Sequence, residues 1–235
     1  MLALGLCLAA APLNADAADA DGLIRAAVRA HGADRLRHGR WAFGFRGDRY
    51  VMARDGGRFR YERHTAQGQV EVLDNEGFEV RRDGRPVDLD PAQEAARRNA
   101  LNAVVYFASL PLPLLDPAVR AQRLPDQKVE GVPHPVVEVR FAEEGGGTDH
   151  EDVFRYWFDP ETGRIARFAY SFRTGGGGVR YRVPIQTRRV RGFAFVDWEN
   201  HGLDDPNVPL AALPDLHAAG DLRRISTIRS VPLDR

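Results

Sequence analysis

The stretch WAFGFRGDRYVMARDGGRFRYER, residues 41–63, decides the fold class. Its apolar side chains alternate: Trp41, Phe43 and Phe45, then Tyr50 and Met52, then Phe59 and Tyr61. A period of two is that of a strand with one face buried and the other wet. Arg46-Gly47-Asp48 and Asp55-Gly56-Gly57 interrupt the runs with residues suited to tight turns. Turns this short leave no room for crossover helices, so the strands are antiparallel neighbours.

The pattern continues on both sides. QVEVLDNEGFEVRRDGRPV carries Val70, Val72, Phe78 and Val80 in the same period, broken at Asn75-Glu76-Gly77 and Asp83-Gly84. Later runs with strand character are HPVVEVRFAE, EDVFRYWFD, RIARFAYSF, VRYRVPI, FAFVDWEN and DLRRISTIRSV. Pro184 belongs at a strand end or edge, because it has no N–H for a ladder. The tetraglycine Gly175–Gly178 reads as a flexible hairpin tip, and GLDDPNVPLAALPDLHAAG as a long loop with one short helical turn.

Helical periods occur twice. In DADGLIRAAVRAHG, Asp19 or Asp21 can cap, Leu23, Ile24, Ala27 and Val28 form a stripe, and Gly32 stops the helix. In DPAQEAARRNALNAVVYFASL, Asp90 is an N-cap with Pro91 at the first helical position. Its second half is apolar on more than one side (Leu101, Val104, Val105, Tyr106, Phe107), and the prolines of LPLPLLDP end it. Such a helix must be covered on most of its surface, so it packs on the sheet. The fold expected is mainly β: one large curved antiparallel sheet, a half-barrel, with a few helices over its concave face.

The first residues, MLALGLCLAAAPLNADAADADG, carry an apolar run from Leu2 to Leu13. Ala15-Asp16-Ala17 after it fits the small-x-small rule of a signal-peptidase site, although no Lys or Arg precedes the run. The expectation is a signal peptide over 1–17, a single domain over 18–235, and a periplasmic or secreted location. The run is too short to cross a bilayer, so no transmembrane segment is expected. Cys7 follows Leu6, where a lipoprotein signal wants Gly, Ala or Ser, which disfavours a lipid anchor. Cleavage after Ala17 removes the single cysteine and with it disulfides, thiolate nucleophiles and Cys-ligated zinc.

Acidic and basic residues balance at 33 each, so nucleic acid is not an expected partner. The basic residues are almost all Arg, with Lys128 the one Lys, a bias that genome composition explains more simply than phosphate recognition. No catalytic signature stands out, and no cofactor or metal is expected. The seven His residues are scattered, and none lies in an H-E-x-x-H or H-x-H arrangement. Asp149, His150 and Asp152 form the densest set of possible ligands, in what reads as an exposed acidic loop. Glu199 and His201 share one side of a strand end, which would suit an acid–base pair or only a solvated terminus. No serine lies in G-x-S-x-G, and no Lys-Ser/Thr follows the glycines.

The aromatic residues carry the remaining signal. In YWFDPETGRIARFAYSF, Phe154 (just upstream), Tyr156 and Phe158 share a face, and Phe168, Tyr170 and Phe172 share one across the DPETG turn. Arg164 and Arg167 suggest that the opposite face is solvated. An aromatic sheet face must be covered by helices, a partner or a ligand. The candidate ligand-binding residues are Trp41, Phe43, Phe45, Phe59, Tyr61, Tyr156, Phe158, Phe168, Tyr170 and Phe172. Packing of helix 91–108 and the proline-rich turn into a solid core is the alternative.

The order of parts resembles a bacterial family of exported proteins. It runs from a helix ending in AHG through WAFGFRGDRYVMARDGGRFRYER, RNALNAVVYFASLPLPLLDP and YWFDPETGRIARFAYSF, over roughly Leu23 to Val231. That family looks like part of the group sharing the fold of the periplasmic outer-membrane lipoprotein carriers. The resemblance implies an antiparallel half-barrel whose apolar concavity receives acyl chains under a helical lid, here Pro91–Ala108 with LPLPLLDP. Function is then expected to be non-enzymatic binding of a lipid-like or acyl-chain ligand in the cell envelope. An envelope protein partner for a module with a filled core is the second expectation, and a hydrolase using Glu199 and His201 the third.

Overall fold

The computed structural model describes residues 15–144 and 151–233, with the side chains of 15–18 left aside. The apolar run, Cys7, Asp149 and His150 lie outside the described residues. Among those described, no helix is long and apolar enough to cross a membrane.

Residues 41–63 form the expected meander: β1 (Gly39–Phe45), β2 (Asp48–Asp55) and β3 (Arg58–His64) pair antiparallel in sequence order. Strands β4 (Gln69–Asp74), β5 (Gly77–Arg82) and the two-residue β6 (Arg85–Pro86) extend it. A second meander contains β7 (Val119–Val129), β8 (Val132–Phe141), β9 (Val153–Phe158), β10 (Ile165–Phe172), β11 (Gly178–Val190), β12 (Phe193–Leu203) and β13 (Arg223–Ile228). The last described strand, β14 (Val231–Pro232), pairs with β1.

The ladders therefore make two seven-stranded antiparallel sheets, β14-β1-β2-β3-β4-β5-β6 and β13-β12-β11-β10-β9-β8-β7. They are joined at a seam. β13 lies on the edge of one and β14, two residues on, on the edge of the other. Inner-face rings cross the same seam: Trp41 meets Phe193 at 6.1 Å and Phe43 meets Phe195 at 6.3 Å. The two sheets form one open half-barrel with a shared concave face, as expected from the sequence.

Helix α1 (Ala15–His31) lies across that concavity. Its Ile24 and Ala27 pack on Val137, Tyr156, Phe158 and Phe168 of one sheet, and Val28 on the cluster of Trp41 and Phe43 of the other. It begins before the expected caps and stops at Gly32 (φ 69°), as the αL preference of glycine predicts. His31, buried at its end, accepts the Ile165 N–H through Nε2 at 3.1 Å.

Helix α2 (Pro91–Ala108) matches the expected span, and Asp90 accepts the Gln93 N–H at 2.8 Å as its N-cap. The two-sided apolar character of its second half now has a cause. Leu101 and Val105 pack on the β1–β3 sheet, whereas Tyr106 and Phe107 pack on Phe154 and Phe168 of the other. The 3₁₀ turn Leu112–Leu115 adds Leu112 and Leu114 beneath.

One sequence reading is corrected, and one strand is added. The outer face of β9–β11 is not solvated: Trp157 and Tyr181 are wholly buried with Leu210, Leu213 and Leu222. A 3₁₀ turn (Leu210–Ala212) and α3 (Leu213–Ala219), the helical turn expected in the long loop, supply that cover. The Arg167 guanidinium instead pairs with Glu130 at 2.6 Å. The added strand is β7, which no apolar alternation announces. It is an edge strand whose register shifts between Leu124 and Gln127, around Pro125.

Candidate functional site

Period-two patterning places a residue on a face but does not say what lies over it. Where α1 crosses the inner face, aromatic residues become core: Trp41, Phe43, Tyr156, Phe158 and Phe168 are each at most 2% exposed. Phe45 packs against the β1–β3 cluster. Beyond the cover of α1 and the end of α2, the concavity stays open as a groove of about 1340 Å³.

Four of the ten candidate residues line this groove: Phe59 and Tyr61 on β3, Tyr170 and Phe172 on β10. The other six do not. Residues outside the candidate set complete the apolar wall: Leu73, Ala103, Tyr106, Phe107, Leu112, Leu115, Phe141 and Phe154. Tyr106 and Phe107 belong to the half-helix already marked by apolarity on two sides. The aromatic wall is contiguous, with Phe107 to Tyr170 at 5.5 Å, Phe154 to Tyr170 at 5.1 Å and Phe141 to Phe154 at 5.7 Å. Such ring pairs add to simple area burial and keep the wall rigid.

The polar lining is uneven. From the 3₁₀ turn Ala33–Arg37 and His38 ahead of β1, from β2 and β3, and from the helix packed on them come Arg37, His38, Arg54, Arg58, Arg98, Asn99 and Asn102. Asp116, Glu143, Asp152, Thr174 and Arg180 line the end nearer the second sheet. Strand register groups the first set, since Gly39, Arg54 and Phe59 are successive cross-strand partners. Arg54 is held by the Tyr61 hydroxyl, which accepts from Nε at 3.0 Å and Nη2 at 2.8 Å, with Ser109 Oγ 3.4 Å from Nη2.

A second guanidinium lies behind the apolar wall. Arg182, 7% exposed on β11, donates from Nη2 to the Tyr170 hydroxyl at 3.0 Å and lies 5.7 Å from the centroids of Phe107 and Tyr170. Its Nε and Nη1 are buried without an acceptor among the described residues, and the cross-strand Asn200 Oδ1 is buried without a donor. A buried cation lacking a carboxylate costs stability, which makes the position notable.

The expected acid–base pair does come together. His201 Nε2 lies 3.2 Å from Glu199 Oε2, while Arg224 pairs with Glu199 at 3.1 Å. This pair faces α3 on the outer side, where His201 meets the His217 ring at 4.6 Å, and neither residue lines the groove. Burial and the neighbouring His201 lower the His217 pKa. Among the described residues no group of three or more His, Cys, Asp or Glu is placed to hold a metal. Asp152 lines the groove, and Asp149 and His150 lie outside the described residues.

A family model described as a family of unknown function (DUF6503) matches residues 69–230, more than half of the chain. No curated protein matches it. Among solved structures, a DUF1329 family protein from Desulfovibrio piger is similar at a TM-score of 0.49 and 10% identity, over 77% of this chain and 85% of that one. A putative outer membrane lipoprotein-sorting protein domain from Vibrio parahaemolyticus is similar at a TM-score of 0.42 and 12% identity, over 77% and 86%. MucB is similar at a TM-score of 0.28 and 16% identity, over 80% and 76%.

Proposed function

This chain belongs to the DUF6503 family of unknown function, and from that premise we propose that it is an exported, non-enzymatic binding protein of the cell envelope. Its ligand is lipid-like and lies in the open concavity beside α2. The observation carrying this reading is the groove of about 1340 Å³ walled by Tyr106, Phe107, Phe141, Phe154, Tyr170 and Phe172. Ligand sites are typically concave, largely apolar and preformed, with volumes from roughly 300 to 1,000 Å³, so this one has room for an extended chain. Each Å² of apolar surface withdrawn from water contributes about 25 cal/mol to binding. Export is supported by the apolar run Leu2–Leu13 ahead of Ala15-Asp16-Ala17.

The solid cores under α1 favour a second reading, in which the half-barrel is a structural or protein-interaction module. Native mass spectrometry of protein purified from its own envelope separates the two. A co-purifying lipid of stoichiometric mass supports the first reading. Bare protein that also ignores acyl probes, with unchanged mass and melting temperature, removes it.

A further inference from the structure

We propose that α3 is an acid-released cover: charging His217 beside His201 lifts it off the outer face of β9–β11 and opens Trp157 and Tyr181 to solvent. The device lies on the opposite side of the sheet from the groove and is independent of the groove reading. The segment is fastened around its ends, by Leu213 and Leu222 in the outer apolar cluster. Gln127 adds a hydrogen bond from Nε2 to the Ala211 carbonyl oxygen, 2.6 Å away in the turn ahead of α3. Between those anchors its polar footing is His217, whose ring centroid lies 5.4 Å from that of Tyr181 and 4.6 Å from that of His201. Under and beside that ring, the Tyr181 hydroxyl, His201 Nδ1 and Arg167 Nε are buried without a partner among the described residues. Keeping such groups from water is costly, so the cover opens at a lower free energy than the whole fold does.

The charges around His217 set the direction. β12 supplies His201 and Glu199, β10 supplies Arg167, and the β7–β8 turn supplies Glu130. Arg224 of β13 reaches Glu199, Asp215 comes from α3 itself, and Tyr181 of β11 is neutral because burial raises its pKa. Two of the carboxylates are already engaged. Glu130 pairs with Arg167 at 2.6 Å, and Glu199 is shared between Arg224 at 3.1 Å and His201 at 3.2 Å. A proton on His201 therefore has Glu199 as its counter-charge. A second proton, on His217, has only the exposed Asp215 left to it, and it sets two imidazolium rings against each other with Arg167 nearby. Burial first, then His201 and Arg167, holds the His217 pKa below its ordinary value, and Glu130 and Glu199 offset only part of this. A folded pKa that is depressed means the closed state is at full strength above 6.5 and is lost as pH falls below it.

The test is hydrogen–deuterium exchange of the full chain at about pH 7.5 and about pH 5.5, with rates corrected for the intrinsic effect of pH. Amides of α3 should open at least about threefold more often at the lower pH, while those of β1–β3 hold steady. His217→Phe keeps a ring on Tyr181 without the charge, and His217→Gln keeps neither. Both variants should lose the pH step. His31→Gln, at the end of α1, should retain it. Wild-type α3 that opens equally at both pH values would overturn the cover, and so would a step that survives in both His217 variants. Acceleration of α3 and β1–β3 together would also overturn it, because acid would then be loosening the whole fold.

Discussion

The hydroxyls of Tyr106 and Tyr156 meet at 3.2 Å, one from the helix lying over the half-barrel and one from the sheet beneath it. Burial raises the pKa of both groups, so each is neutral at physiological pH. One hydrogen bond thus pins the second half of α2 to β9 within an otherwise apolar contact. Tyr156→Phe leaves the Tyr106 hydroxyl without its partner and should cost about 1–2 kcal/mol. Changing both to Phe should cost less than the sum of the single changes. Urea titrations of the four proteins of this double-mutant cycle measure the coupling.

Tyr181 joins this pair at alkaline pH, since burial raises its pKa as well. In the unfolded chain a tyrosine ionises near 10, while in the fold these three remain neutral at higher pH. Their contribution is complete below the unfolded value and is lost as pH rises through the folded values. Denaturation midpoints should fall from about pH 10 upward. Tyr181→Phe should shallow that fall; an unchanged slope would remove Tyr181 from the explanation.

Acid should act through His31. Burial, then the nearby Arg164 and Arg189, lowers its pKa from 6.5 to about 4, and its neutral Nε2 accepts the Ile165 N–H. Here the folded pKa is depressed, so stability is whole above 6.5 and is lost as pH falls toward 4. The total at stake is ~3 kcal/mol. His31→Gln retains an acceptor without the titration. The difference between wild type and variant should therefore shrink from pH 7 to about pH 4.5 in chemical denaturation.

Gly32 ends α1 at φ 69°, and a Cβ there would run into the Gly192 carbonyl oxygen of the β11–β12 turn. That oxygen belongs to backbone and cannot swing aside. Gly32→Ala should therefore lower stability by about 2 kcal/mol, or roughly 5 °C in Tm. Gly47 in the β1–β2 turn has a similar φ but open space around it, and alanine there should cost less.

Groove and core aromatics should separate under truncation. Phe168, 1% exposed beneath α1 and α2, should cost about 3–5 kcal/mol as Phe168→Ala. Phe172 is half-buried at the groove rim, under the Arg180 guanidinium at 4.6 Å. Phe172→Ser should cost no more than about 1.5 kcal/mol. The same change should weaken binding of an acyl probe several-fold by fluorescence titration. Loss of stability without any loss of probe binding would place Phe172 outside the site.

The groove itself was only partly legible. Alternation put Phe59, Tyr61, Tyr170 and Phe172 on the inner face, but it put Tyr156 and Phe168 there equally. Nothing local distinguishes a ring that α1 covers from one a few residues farther along the same strand. The groove-facing cations escaped notice for a related reason. Period two carries Arg54 onto the inner face with Tyr50 and Met52, but its bond to Tyr61 is seen only in space.

By itself, the sequence determined the strand period of residues 41–63, the antiparallel order, helix Pro91–Ala108 with its Asp90 cap, and an aromatic inner face. These follow from local periods and backbone preferences, which act over a few residues. Tertiary structure alone decided that β13 and β14 join two sheets, and that α3 covers Trp157 and Tyr181. It also decided which aromatics line the open groove and which are buried beneath α1. Those outcomes depend on where distant segments come to rest, because burial and charge pairing are properties of space rather than of chain position.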